Sequence, residues 1–330
     1  MHIVLNSPLD MHLHLREGDL LQTVAPLTTA CFAGAVIMPN LVSPVDSPAK
    51  VRRYKGQIEA AGRSASFAAY MTLFFKNYSR AELAAIRKEI IGIKLYPAGI
   101  TTQSESGVND FGDIDETLAL MEEMRIPLLV HGESGGFVLD REKEFLKVYQ
   151  RLAESFPNLH IVMEHITTAE AVDFLDCYKN VSATVTLHHL LITLDDVIGG
   201  LLQPDLFCKP IAKRPEDRKR LLNAVLSGHR RIMFGSDSAP HPRHKKECCG
   251  CAAGIFSAPV ALPILAELFE DADRLDLLQN FVSDIACSRY GLRPPAKQVI
   301  LEKKPWQVPD LYGEVKPFGA GQTLRWSIAV

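Results

Sequence analysis

Eight apolar runs, separated by stretches of helical periodicity, narrow the folds open to this chain more than any other feature. The runs cover residues 2–14, 35–39, 66–75, 91–96, 126–132, 159–165, 181–189 and 231–237, and most are rich in Val, Ile and Leu. Continuous apolarity marks strands covered on both faces, as in a parallel sheet with helices packed over it. Helix-like stretches lie between them, near residues 20–32, 47–61, 79–89, 114–124, 141–155, 168–178 and 215–228. Two helix starts have a local cause. Ser47-Pro48 sets a capping hydroxyl before a proline at the first helical position, and Thr167-Thr168-Ala169-Glu170 offers a Thr cap with an acid close behind. Eight strands with helices between them predict an α/β fold, a closed (β/α)8 TIM barrel over residues 1–290. Residues 291–330, with both tryptophans and several prolines, read as a C-terminal extension packed on that barrel. A doubly wound open sheet is the alternative, but no Gly-rich dinucleotide loop follows the first run.

Composition agrees with one large domain. The chain has 330 residues, 47% of them hydrophobic, enough to fill a barrel core and its helical shell. A net charge of −3 gives no reason to expect nucleic acid or an anionic membrane as partner. The apolar runs are too short or too interrupted by Pro and His to span a bilayer, and the N-terminus lacks the basic segment of a signal peptide. Seven cysteines without a regular framework predict reduced thiols and a cytoplasmic location.

Functional side chains of such barrels sit at the carboxyl ends of the strands. Those ends supply, in order, His12 and His14, Asn40, Lys94, His131, His165, His189 and Asp237. In His12-Leu13-His14-Leu15-Arg16, alternate residues share a face of an extended strand. Two imidazoles therefore converge as half of a divalent-metal site, with Arg16 one pleat further on, able to hold an anionic substrate. Hydrogen-bonded core histidines are the bland reading of His131 and His165, and a turn former that of Asp237. Their convergence at strand ends favours a site. Lys94, inside Ile93-Lys94-Leu95, must pair with an acid or lose its proton, and a neutral amine there can capture carbon dioxide as a carbamate. His188 and His189 are neighbours, so in a strand at most one would face the site.

These residues resemble the amidohydrolase superfamily, and within it the shorter bacterial dihydroorotases. The likeness rests on Asp10-Met11-His12-Leu13-His14-Leu15-Arg16, Met38-Pro39-Asn40, Lys94-Leu95-Tyr96-Pro97-Ala98 with Thr101-Thr102, and Leu129-Val130-His131-Gly132-Glu133. Glu164-His165-Ile166-Thr167-Thr168 and Asp237-Ser238-Ala239-Pro240-His241 complete it. It implies reversible cyclisation of N-carbamoyl-L-aspartate to dihydroorotate in pyrimidine biosynthesis, by a hydrolase of cyclic amide C–N bonds. It also implies two Zn2+ per chain, His12, His14 and Asp237 on one and His131 and His165 on the other. Carboxylated Lys94 and a hydroxide would bridge the two. Asp237 would shuttle the proton, and Arg16, Asn40 and His241 would clamp the substrate carboxylate. Thr101 and Thr102 would reach the substrate from a loop closing over it, while Lys209 and Ala253 would contribute backbone contacts. A homodimer is the expected assembly. The alternatives are another cyclic amidohydrolase, hydantoinase- or dihydropyrimidinase-like, and a non-catalytic scaffold that has lost its ligands. Cys248-Cys249-Gly250-Cys251 departs toward a zinc–thiolate motif, but no second Cys/His pair lies at zinc-ribbon spacing.

Overall fold

The computed structural model describes residues 1–329. The first apolar run is broken: β1 (His2–Asn6) ends at Ser7, which takes a positive φ of 46°, and Pro8 restarts the chain as β2 (Leu9–Leu13). The barrel consists of β2, β3 (Gly34–Ile37), β4 (Ala68–Phe74), β5 (Gly92–Leu95), β6 (Leu128–Val130), β7 (Ile161–Met163), β8 (Val181–Val185) and β9 (Ile232–Phe234). These eight strands are parallel and hydrogen-bonded in sequence order. Closure between β2 and β9 happens above the strands proper, where Asp237 N donates to His12 O at 2.9 Å and His14 N to Ser238 O at 3.1 Å. The buried Asp10 carboxylate accepts the Ser236 and His12 amides at 2.8 and 3.2 Å, taking the place of a ladder bond at the seam.

Seven helices follow the pattern expected of the shell: α1 (Gly18–Cys31), α2 (Pro48–Gly62), α3 (Arg80–Ile86), α4 (Asp115–Glu123), α5 (Arg141–Ser155), α6 (Ala169–Cys177) and, after the short α7 (Leu187–Leu191) and α8 (Leu194–Ile198), α9 (Pro215–Leu226). The seventh strand-like run of the sequence, 181–189, overshoots, because β8 stops at Val185 and Thr186 caps α7 by accepting the His189 amide. His188 and His189 therefore sit on a helical turn, where adjacent residues are not forced to opposite faces. Beyond β9 come α10 (Arg243–Lys246), α11 (Ala261–Asp271) and α12 (Ile285–Tyr290). None of these three was anticipated from the sequence.

Strand alternation divides the apolar residues into two layers. Ala35, Ile37, Ile93, Leu95, Leu128, Val130 and Phe234 face the helices. Leu9, Met11, Val36, Met38, Leu129, Val162 and Met233 fill the barrel interior, joined by Ala286 of α12. On β2 the inward positions pass from Met11 to His12 without the usual gap, at a register irregularity between Asp10 and Leu13. That shift lets one strand both plug the barrel and present His12 and His14 above the plug.

The C-terminal segment forms β10 (Gln298–Glu302), β11 (Trp306–Gln307), β12 (Thr323–Leu324) and β13 (Ser327–Ile328). β1 pairs antiparallel with β10, His2 opposite Glu302 and Asn6 opposite Gln298, and β13 adds to the other edge. Trp326 is fully buried against this region and donates its indole N–H to Glu270 of α11 at 3.1 Å. Trp326→Ala should lower the unfolding free energy by about 3–5 kcal/mol, the usual cost of emptying a buried aromatic site. Urea denaturation reads this directly, and a midpoint within error of wild type would show that the extension does not stabilise the barrel.

Candidate metal centre

Each candidate ligand is placed by the end of an interior strand. His12 lies in β2, with His14 one residue past it, and Lys94 lies in β5. His131 follows β6, His165 comes two residues after β7, and Asp237 three after β9. All six are buried. His165 and Asp237 take φ of 42° and 45°, and Arg16 takes 61°, left-handed conformations that cost a non-glycine residue about 1–3 kcal/mol each. Strain at three such neighbours signals that side-chain placement outweighs backbone comfort here. Gly235 is required for space, since a Cβ would lie 3.0 Å from the His12 Cβ and 2.9 Å from that of Thr184.

The donor atoms form two sets. His14 Nε2 lies 3.1 Å and His12 Nε2 3.4 Å from Asp237 Oδ1. His131 Nδ1 lies 3.1 Å from His165 Nε2, and the His12 and His165 rings are 4.9 Å apart, so the sets adjoin. Two ligands on a tetrahedral zinc, with bonds of roughly 2.0–2.1 Å, are about 3.3 Å apart. Tautomers sharpen the argument. His12 Nδ1 gives its proton to Glu164 Oε2 at 2.7 Å, which leaves Nε2 with a lone pair aimed at the Asp237 carboxylate. His131 Nε2 likewise donates to Glu133 Oε2 at 2.8 Å, leaving the Nδ1 lone pair directed at His165 Nε2. Lone pair facing carboxylate in a dry interior is unfavourable until a cation lies between them. The site thus fits a pair of divalent cations by the chemistry of its donors.

Charges agree. Burial lowers the pKa of His12 and drives that of His14 well down, so both stay neutral and able to ligate. Burial raises Asp237, with His12 opposing. Lys94 is fully buried, its amine has no hydrogen-bond partner, and burial brings its pKa down to about 8. The unprotonated fraction this leaves is the form that reacts with carbon dioxide.

Arg16 and His241 adjoin the first set. Arg16 Nη2 is 3.1 Å from His241 Nε2, which is also 3.0 Å from the Ala253 carbonyl. Burial, then Arg16, pushes the His241 pKa down to about 3, so the ring is neutral and Nε2 can serve only one of these neighbours. When it donates to Ala253, an Arg16 N–H is left for an anion. Asn40 Nδ2 donates to the Thr102 carbonyl at 3.0 Å, and Lys209 Nζ to the Ile100 carbonyl at 2.9 Å. The loop 101–107 is thereby held down at the barrel mouth, with Thr101 N further tied to Ser104 Oγ at 3.0 Å. His189 joins neither set of metal ligands, its ring nitrogens being engaged by Thr186 and the Pro210 carbonyl. Cys248 and Cys249 are exposed, and with Cys251 they join no ligand group among the described residues.

Sequence reasoning assigned no role to Glu133, Glu164 and Thr184, which orient the histidines. Thr184 Oγ1 donates to Glu164 at 2.6 Å and accepts the His165 amide at 2.7 Å. An acid one or two residues from a strand-end histidine was the available signal for both glutamates.

Comparison with known proteins extends these observations. A family model described as amidohydrolase matches residues 49–263. A dihydroorotase of Hahella chejuensis is 43% identical over 338 residues, covering 98% of each sequence. The crystal structure of a Campylobacter jejuni dihydroorotase superposes with a TM-score of 0.96 at 51% identity, covering 100% of this chain and 98% of that one. A Saccharomyces cerevisiae dihydroorotase solved with 5-fluoroorotic acid gives 0.93 at 36%, covering 99% and 98%. An Arthrobacter aurescens L-hydantoinase, at 17% identity and a TM-score of 0.82, covers 98% of this chain and 82% of its own, and shares the fold.

Proposed function

Since the chain belongs to the dihydroorotase family of amidohydrolases, we propose that its barrel mouth interconverts N-carbamoyl-L-aspartate and dihydroorotate with the residues described above in distinct roles. The activity is that of a hydrolase of cyclic amide bonds. The observation that carries the assignment of roles is the convergence of His12 Nε2, His14 Nε2 and Asp237 Oδ1 beside the Arg16–His241 pair. His12, His14 and Asp237 would hold one zinc, His131 and His165 the other, and a carboxylated Lys94 both, supplying an activated water and a polarised ring carbonyl.

The chain's own groups do the rest. Arg16, Asn40 and His241 grip the α-carboxylate, and Arg16 offers a planar fork that an ammonium lacks. In ring closure the carbamoyl nitrogen attacks the side-chain carboxyl carbon, and Asp237 accepts the nitrogen's proton as water departs. In hydrolysis a water oxygen adds to the ring carbonyl carbon and gives its proton to Asp237, and the ring C–N bond then breaks as Asp237 passes that proton to the leaving nitrogen. Thr101 and Thr102 exclude bulk water above the ring, while the Lys209 and Ala253 backbones line its edge. Residues 1–290 carry this chemistry and 291–330 brace it. We place the protein in the cytoplasm as a homodimer. Its seven cysteines are free thiols, and no helix among the described residues is long and apolar enough to cross a membrane.

Chelation should reduce dihydroorotate hydrolysis to background, and two equivalents of zinc should restore it. A preparation holding two metals per chain but without turnover would remove the assignment. Arg16→Met should raise KM for dihydroorotate about 10²-fold, the worth of a charge-assisted bidentate contact, with a smaller change in kcat. Against a ring amide lacking the carboxylate, the variant and wild type should be equal. A similar penalty on both substrates would mean that Arg16 does not hold the carboxylate.

A further inference from the structure

A second buried group of ligand-type side chains lies outside the chemistry above. His188 and His189 of α7 and Cys208 of the loop after α8 are fully enclosed, with one donor atom of each within 4.8 Å of the others. Cys208 Sγ is 3.6 Å from His189 Nε2 and 3.3 Å from the Pro210 carbonyl oxygen, which is itself 3.0 Å from His189 Nε2. On a tetrahedral zinc, sulfur and nitrogen ligands are separated by about 3.5 Å and nitrogen and oxygen ligands by about 3.3 Å. The triangle of sulfur, nitrogen and oxygen therefore has the dimensions of one face of such an ion's coordination shell.

His188 is the second, independent observation. It is fully buried, its ring lies 4.4 Å from that of His189, and neither of its nitrogens has a hydrogen-bond partner. A desolvated imidazole with both nitrogens idle is costly, and protonation does not relieve it, since burial drives its pKa well below the usual value. His189 is neutral for the same reason, held at about 4. Thr186 Oγ1, 2.9 Å from His189 Nδ1, can accept a proton there and leave Nε2 as the ligand atom.

We infer that His188, His189, Cys208 and the Pro210 carbonyl form a further metal site, which takes one borderline-soft divalent cation such as zinc in a structural role. On binding, the Cys208 thiol loses its proton to solvent and ligates as thiolate. The ion pins the loop bearing Lys209, whose amine reaches the Ile100 carbonyl, to α7. The site contains a sulfur and the six candidate catalytic ligands contain none, so the two can be tested separately.

Full-length protein produced with cobalt in place of zinc should show one thiolate-to-cobalt charge-transfer band per chain in the near ultraviolet. Cys208→Ser should abolish the band, whereas replacing Cys248, Cys249 and Cys251 together by Ser should leave it unchanged. His188→Gln should lower total metal by one ion per chain relative to wild type. Should the Cys208 or His188 variant fail to fold, the wild-type band and its survival in the triple variant decide the question. Absence of the band from wild type, its persistence in Cys208→Ser, or its loss from the triple variant would overturn the inference, whatever the hydrolytic activity.

Discussion

Asp237→Asn should lower kcat for dihydroorotate hydrolysis by at least about 10⁴-fold, because one carboxylate serves both as ligand and as proton carrier. The amide keeps the volume and an oxygen near His12 and His14, so metal content should fall less than activity. The substitution removes the negative charge and with it the capacity to take and return a proton, for which the Asp237 carboxyl is suited by a pKa raised through burial and held back by His12. Both reaction directions should suffer alike, since the same proton is handled in each. The assay pairs kcat with metal analysis on one sample. A loaded variant within about tenfold of wild type would assign proton transfer elsewhere.

Lys94→Met should separate function from stability. Turnover should drop on the order of 10³-fold or more, the rate equivalent of several kcal/mol of lost charge stabilisation. Metal-free protein should meanwhile be no less stable than wild type, and up to about 3 kcal/mol more so, because methionine fills the space of a buried amine that has no hydrogen-bond partner. Denaturation of chelated samples supplies the second half of the comparison. Lower stability of the chelated variant would mean that the lysine is a structural cation, and the carbamate reading would fail with it.

How far these residues were legible in the sequence depended on what placed them. Lys94, His131 and His165 stand at the ends of apolar runs, where period and polarity alone mark a barrel rim. The first run concealed two elements because Ser7-Pro8 interrupts it with a backbone turn, which apolar counting does not register. The 181–189 run misled through Thr186, whose hydroxyl caps a helical turn and converts the expected strand end into α7. The orienting roles of Glu164 and Thr184 were hidden because each depends on a partner chosen by tertiary packing, His12 for Glu164 and, 20 residues away, Glu164 for Thr184. No spacing rule encodes the neighbour of an interior strand position.

The pairing of residues 2–6 with 298–302 also bears on synthesis. While the ribosome is still working, the strand leading toward His12 and His14 has no partner, because its neighbour is among the last segments made. Nascent protein can thus close its barrel before its two ends meet. A variant translated in the permuted order, with residues 298–329 placed ahead of residue 1, would have that clasp from the outset.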